Sequence, residues 1–335
     1  MHALRVPLKD VEKARRELLQ KDNLDTDYDL IKEEGFIYLP IKKKFDSEYS
    51  IFEKKFKKTE KKKSFADILK IKLTSEEIES LKTAYDHVGD IAIIEVDREL
   101  EKKEKLIADA LLKSNKTIKT VLKKGGVHEG DFRTQKMIYL AGENKKETIH
   151  KENNVRLKIN VEKVYFSPRL STERKRISEL VKSEEDILVM FSGAAPYPCV
   201  LSKNTKAKSI IGIEMNPEGH KYGLENIKLN KIKNVTLING DVKIEVPKLK
   251  KHFDRILMPL PKSAEDFLDS ALSASKKGTI IHFYDFLNEK EFDLAYKKIE
   301  KACSKNNMKY KILTLVKCGQ HAPKVYRICV DFQII

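Results

Sequence analysis

From residue 175 to the end of the chain, short apolar runs alternate with amphipathic segments, and this alternation restricts the fold more than any other feature. Strands are expected at 186–191, 209–214, 235–239, 255–258 and 279–285, and helices at 173–182, 217–230, 263–275 and 289–305. Runs of this length, each followed by a helical period, read as buried parallel strands returning through helices. The last two strands, around 310–317 and 324–334, have no helix between them. Five βα units and a closing strand pair predict an open, mostly parallel α/β sheet with an antiparallel edge. Ligands of such sheets sit at the carboxyl ends of the strands.

Two smaller α/β units precede this one. In the first, "VEKARRELLQ" is helical, with Val11, Ala14, Leu18 and Leu19 on one face, and "GFIYLPI" is a strand. Residues 42–63 hold ten lysines against four acids and few apolar anchors, so a linker or solvated basic helix is expected there. In the second, "IAIIEV" and "TIKTVLKK" read as strands around the helix "KEKLIADALLK". "VRLKINVEKVYFS" then alternates strictly, as a strand with one wet face does. The expected division is 1–57, ending in the Lys-rich linker, then 64–155, then 156–335.

Charge narrows the partner. Lys and Arg number 67 against 51 Asp and Glu, a formal charge of +16. Such a surplus favours a polyanion, most simply nucleic acid. The four cysteines form no CxxC, and neither His-x-His nor HExxH occurs, so no metal site is expected. Widely spaced thiols in a chain of 335 residues read as reduced and cytoplasmic. The first residues lack the apolar core of a signal peptide, and no apolar run approaches a membrane span.

Chemistry concentrates after the first long strand, in "FSGAAPYP" from Phe191. Gly193 lets backbone approach a ligand closely, whereas Ala194 and Ala195 do not take positive φ cheaply. Glu214 ends the next strand about 20 residues on, placed to accept both hydroxyls of a ribose. Asp241 ends the third and is placed to accept from an adenine amino group. GxGxxG is absent, and Pro196 and Pro198 occupy positions where a pyrophosphate needs helix N–H groups. That pattern suits S-adenosylmethionine, which has no phosphate, better than a dinucleotide. "MPLPK" at the fourth strand end, with Pro259 and Pro261, stands where a substrate base is received. In "YFSPRLSTER", Ser171 or Thr172 is a candidate helix cap, and Tyr165 and Phe166 either stack on a ligand or fill the core.

Taken together, "LAGEN" (140–144), "TIHKEN" (148–153), "VYFSPRL" (164–170), "ER" (173–174), "EMNP" (214–217) and "LNK" (229–231) resemble the archaeal and eukaryotic tRNA methyltransferases that act at position 37. The resemblance implies a Rossmann-like class I methyltransferase domain, a smaller α/β middle domain and a small N-terminal α/β domain. It implies S-adenosylmethionine as cofactor, and tRNA, gripped at the anticodon stem-loop and outer corner, as partner of a monomer, with no DNA and no membrane involved. Arg133 matches the arginine that bonds guanine O6, Glu173 the acid that takes the N1 proton, and Pro261 the retained proline of the strand-end loop. Tyr165, Arg169, Phe191, Gly193, Glu214, Asp241 and Pro259 fall at the cofactor side of the same motifs.

Three positions depart from the family pattern. Pro259 stands where the N1-methylating members carry Asn, Val189 where the cofactor turn carries Asp, and Ala195 where it carries a second Gly. A Pro-Leu-Pro loop without an amide suits a larger base. It resembles the archaeal branch that methylates C7 of 4-demethylwyosine to isowyosine, so C7 methylation is expected, with guanosine N1 methylation as the alternative or a second activity. Two rivals are a non-catalytic tRNA-binding protein and a methyltransferase acting on protein or small molecules.

Overall fold

The computed structural model describes residues 1–59, 64–126, 130, 132–260 and 262–335. Two compact units are present, Met1–Ser64 and Phe65–Ile335. In the first, β1 (His2–Pro7), α1 (Val11–Gln20), β2 (Ile31–Glu33), β3 (Phe36–Pro40) and β4 (Ile51–Glu53) give an antiparallel sheet of order β2-β3-β1-β4. Ala14 and Leu18 of α1 join Leu4, Val6 and Leu39 in its core, but Leu19 is 51 % exposed, outside the expected face. The Lys-rich stretch is not all linker. Ile51, Phe52 and Glu53 pair with β1 as an edge strand, which a lysine-dominated window conceals.

The second unit begins with α2 (Phe65–Leu69), α3 (Ser75–Glu79), β5 (Asp86–Val88), β6 (Ile91–Ile94), α4 (Glu104–Ser114), β7 (Thr120–Lys124) and β8 (Met137–Gly142). Its small sheet has the order β5-β6-β7-β8. A two-stranded hairpin follows, β9 (Glu147–Glu152) and β10 (Val155–Asn160). The alternation read in the sequence is real: Val155, Leu157 and Ile159 are buried. They share one cluster with Ile91 and Leu122 of the small sheet and with Ala195, Val200 and Tyr222 further on. The boundary expected between 155 and 156 therefore falls inside a hairpin whose apolar face is packed on both sides.

The large sheet is built from α5 (Ser171–Leu180), β11 (Asp186–Met190), α6 (Pro196–Asn204), β12 (Ser209–Glu214), α7 (Pro217–Leu229), β13 (Val235–Asn239), α8 (Val242–Leu249), β14 (Phe253–Met258), α9 (Leu268–Ser273), β15 (Ser275–Asn288), α10 (Asp293–Lys305), β16 (Tyr310–Ala322) and β17 (Val325–Ile334). Strand order is β13-β12-β11-β14-β15-β17-β16. β11 to β15 run parallel, and β17 runs antiparallel between β15 and β16. The antiparallel strand thus lies one place in from the edge. The order reverses between β12-β11 and β14, which is where such sheets open a ligand crevice.

Candidate cofactor and substrate site

The cofactor turn is built from strained backbone. Phe191, Gly193 and Ala195 all have positive φ, at 58°, 55° and 61°. Alternating left-handed residues fold the chain tightly from β11 into α6, whose first residue is Pro196. At Gly193 an added Cβ would have only the Tyr165 carbonyl oxygen near it, at 3.7 Å, so the turn is open above the glycine. Phe191 is held by an edge-on contact with Phe267, ring centroids 4.8 Å apart.

Ala195 does what alanine does reluctantly. Its left-handed conformation costs about 1–2 kcal/mol. Its methyl, however, is fully buried, and a Cβ built on Gly223 would stand 3.4 Å from it. Burying that methyl returns about 0.8 kcal/mol, and alanine restrains the unfolded chain more than glycine does. These terms nearly cancel, so Ala195→Gly is expected to move unfolding free energy by less than about 1 kcal/mol in denaturant titration. A larger gain on substitution would show the strain to be uncompensated.

Glu214 ends β12 and ties this turn to the next strand. Its Oε2 accepts from the Gly193 N–H at 2.6 Å and its Oε1 from the Asn216 N–H at 2.8 Å. Burial raises its carboxyl above the ordinary 4.5, against the backbone N–H groups of Asn216, Gly193 and Met215. Asn216 in turn caps α7 through Glu218 N–H and donates to the Lys163 carbonyl. Gly193, Tyr165 and Glu214 are thereby gathered at the ends of β11 and β12. Asp241 lies at the end of β13, where its Oδ1 caps α8 through Lys243 N–H at 2.8 Å. A Cβ-free approach at Gly193 beside an acceptor carboxylate fits a nucleoside with a vicinal diol and no phosphate.

On the substrate side, Arg133 itself has φ +50° and donates from Nη2 to the Lys262 carbonyl at 2.6 Å. That bond brings it to the loop after β14, where Pro259 sits in a tight turn closed by Leu260 N–H to Met258 O, 2.7 Å. Burial pushes the Arg133 guanidinium down, and the nearby Arg327 charge adds to this, partly offset by Tyr165. Pro261 lies outside the described residues.

Glu173, in the first turn of α5, is 4 % exposed. Its Oε1 accepts from Tyr284 Oη and Arg176 Nη2, at 2.7 and 2.8 Å, and its Oε2 from Arg176 Nε at 2.7 Å. To take a proton it must give up part of this bonding. Neither Ser171 nor Thr172 caps the helix, which starts at Ser171 after a 3₁₀ turn. Arg169 is directed elsewhere: its Nε pairs with Asp86 of β5 at 2.6 Å, on a side chain 62 % exposed. Among the described residues, no hydrogen bond or ion pair joins it to the cofactor turn. Tyr165 does reach the site, accepting from Arg327 Nη2 at 2.9 Å, whereas Phe166 packs against His150.

A buried polar chain behind Glu173 was not anticipated from the sequence. Arg176 bridges Glu173 to Asp331, Asp331 Oδ1 meets His282 Nδ1 at 2.6 Å, and His282 Nε2 meets Arg255 Nη1 at 2.7 Å. Arg255 then grips Glu185 with two bonds of 2.7 and 2.9 Å. Because arginine only donates, His282 Nε2 is the acceptor, and its proton sits on Nδ1, donated to Asp331. Among the described residues, His282, Cys329 and Asp331 form a cluster of metal-ligand type. The His282 Nε2 lone pair and the Asp331 oxygens are already engaged in these bonds, so the cluster is read as structural.

Comparison with known proteins agrees with this architecture. Residues 148–313 match the TRM5/TYW2 methyltransferase domain, 65–145 the TYW2 N-terminal domain and 3–50 the tRNA methyltransferase 5 N-terminal domain. The chain is 37 % identical over 334 residues to the tRNA (guanine(37)-N(1))-methyltransferase Trm5b of Pyrococcus abyssi, covering 99 % of this chain and 98 % of that one. It is 36 % identical over 310 residues to the tRNA (guanine(37)-N(1))/4-demethylwyosine(37)-methyltransferase Taw22 of Nanoarchaeum equitans, covering 75 % of this chain and 100 % of the relative. Among solved structures, a complex of aTrm5 and tRNALeu matches with a TM-score of 0.73 at 34 % identity, over 100 % of both chains.

Proposed function

The chain belongs to the TRM5/TYW2 methyltransferase family and is an S-adenosylmethionine-dependent tRNA methyltransferase, and we propose that it methylates N1 of guanosine 37. The observation that carries this reading is coverage. Similarity to the guanine-N1 relative runs through the whole chain, first unit included, whereas the relative named for both bases matches 75 % of it. This reverses the weight given to Pro259. The missing Asn argued for C7 of a tricyclic base, but Arg133 beside the loop offers donors to an O6 that both bases carry, so coverage decides.

In this reading Gly193, Tyr165 and Glu214 hold the cofactor, which supplies an electrophilic methyl on sulfonium. Arg133 leaves the Lys262 carbonyl for O6 and stabilises the charge that develops there as N1 loses its proton. Glu173 receives that proton as N1 forms its new bond to carbon, with Tyr284 and Arg176 holding the carboxyl in place. The target base must leave the loop stack to be reached.

Methyl transfer to tRNA carrying G37, and separately to tRNA carrying 4-demethylwyosine, checks the reading by nucleoside mass spectrometry. We expect 1-methylguanosine from the first. Isowyosine from the second with nothing from the first would overturn it and restore the C7 reading. The C7 alternative is kept for one reason, the absent amide at Pro259. Accordingly, Pro259→Asn is expected to leave the product of G37 tRNA unchanged.

A further inference from the structure

Within electrostatic reach of Arg133 lies a second guanidinium, Arg327, on β17. Its Nη2 donates to a neutral phenol, Tyr165, while its Nε is buried with no hydrogen-bond partner among the described residues. A buried guanidinium donor left unused costs free energy that a ligand acceptor would recover. The side chain is carried by a rigid platform. Arg327 pairs with Phe286 on β15, its guanidinium lies 5.0 Å from that ring, and His321 stacks on the same ring at 4.1 Å and 26°. Gly319 is its register partner on β16, and a Cβ added there would meet nothing within 4 Å.

The Arg327 charge disfavours the Arg133 charge, and the single negative charge of a backbone phosphate between them offsets that repulsion. A nucleotide turned out of its stack brings its own backbone phosphate with it. We propose that Arg327 is a phosphate-binding residue, holding the backbone phosphate that flanks the target nucleotide while Arg133 faces its base. The proposal rests on the tRNA-methylating reading above but not on which atom is methylated.

The test is equilibrium binding of G37 tRNA transcript with S-adenosylhomocysteine present, so that no transfer occurs. Arg327→Gln is expected to weaken tRNA binding roughly tenfold, as loss of one charge-assisted bond does. It should also flatten the plot of log K against log salt by about 0.7–0.9, one phosphate's worth. S-Adenosylhomocysteine affinity, measured alone, reports that the turn is intact. A methylphosphonate placed 5′ to residue 37 should cost the parent protein the same amount and cost Arg327→Gln nothing further. Tyr165→Phe removes the phenol without removing charge, and should leave the salt slope unchanged. An unchanged slope in Arg327→Gln, additive losses with the methylphosphonate, or the same loss of slope in Tyr165→Phe would each overturn the assignment. Failure of the guanosine-N1 reading would appear instead in the product analysis and leave these binding results untouched.

Discussion

Replacing Arg176 with methionine is expected to destabilise the second unit by about 3–5 kcal/mol, the loss seen when one partner of a buried ion pair is removed. Arg176 stands between two carboxylates that are nearly out of water, Glu173 at 4 % and Asp331 at 2 % exposure. Without it both are left without their cation, one with a tyrosine and the other with a neutral histidine. Neutralising the acids as well should recover much of the loss, so Arg176→Met combined with Glu173→Gln and Asp331→Asn serves as the control. Urea titration measures each. A cost under about 1 kcal/mol for the single substitution would show that Arg176 does not hold these two carboxylates as a buried ion pair.

The same chain sets a pH dependence. Burial lowers His282 below its ordinary 6.5, despite the hydrogen bond to Asp331. The native state keeps it neutral while the unfolded chain takes up a proton. Stability is then full above about 6.5 and falls as pH drops toward the folded value. Asp331 is held well below 3.8: burial works upward, but His282 and Arg176 outweigh it. Its contribution is present above the unfolded value and is lost only as pH falls through the lower folded one. Two steps are expected, the first beginning near 6.5 and absent in His282→Gln.

Most of the large sheet was legible because its strands are continuous apolar runs, such as Ile187–Met190, and periodicity survives any tertiary arrangement. α8 was missed because it is eight residues long and carries Pro247, a combination that reads as a loop. β9 is hidden because "TIHKEN" is mostly polar and shows no apolar alternation, although Thr148 and Glu152 face inward while Lys151 faces out. The turn and its acid were legible through spacing alone: Gly193 and Glu214 lie 21 positions apart and hydrogen-bond. The Arg176–Asp331 pair was not, because it joins residues 155 apart and charged side chains read as surface. The partner of Arg169 is equally hidden. Arg169 sits in a distinctive motif, but its neighbour in space is Asp86, which no local pattern reveals.

Glu214→Ala is the substitution expected to remove cofactor binding. Its carboxylate has two duties. Toward the protein it accepts the Gly193 and Asn216 N–H groups, holding the turn after β11 against the cap of α7. Leaving those donors unsatisfied costs about 1–3 kcal/mol each. Toward the ligand, in the proposed reading, it accepts from ribose hydroxyls, and hydrogen bonds to a charged group are worth about 1.5–3 kcal/mol apiece. Losing two should weaken S-adenosylmethionine by roughly 10²–10⁴-fold in calorimetry. Glu214→Gln separates the duties, since its amide oxygen still accepts one N–H while the charge is gone. The ionised form is the one that accepts from both hydroxyls, and burial raises the carboxyl of the free protein above 4.5. Affinity should therefore decline as pH falls through that raised value, above the pH at which an exposed glutamate titrates. In Glu214→Gln this decline should vanish. Cofactor affinity that survives Glu214→Ala within threefold would place the ribose elsewhere and leave Glu214 as a brace for the turn alone.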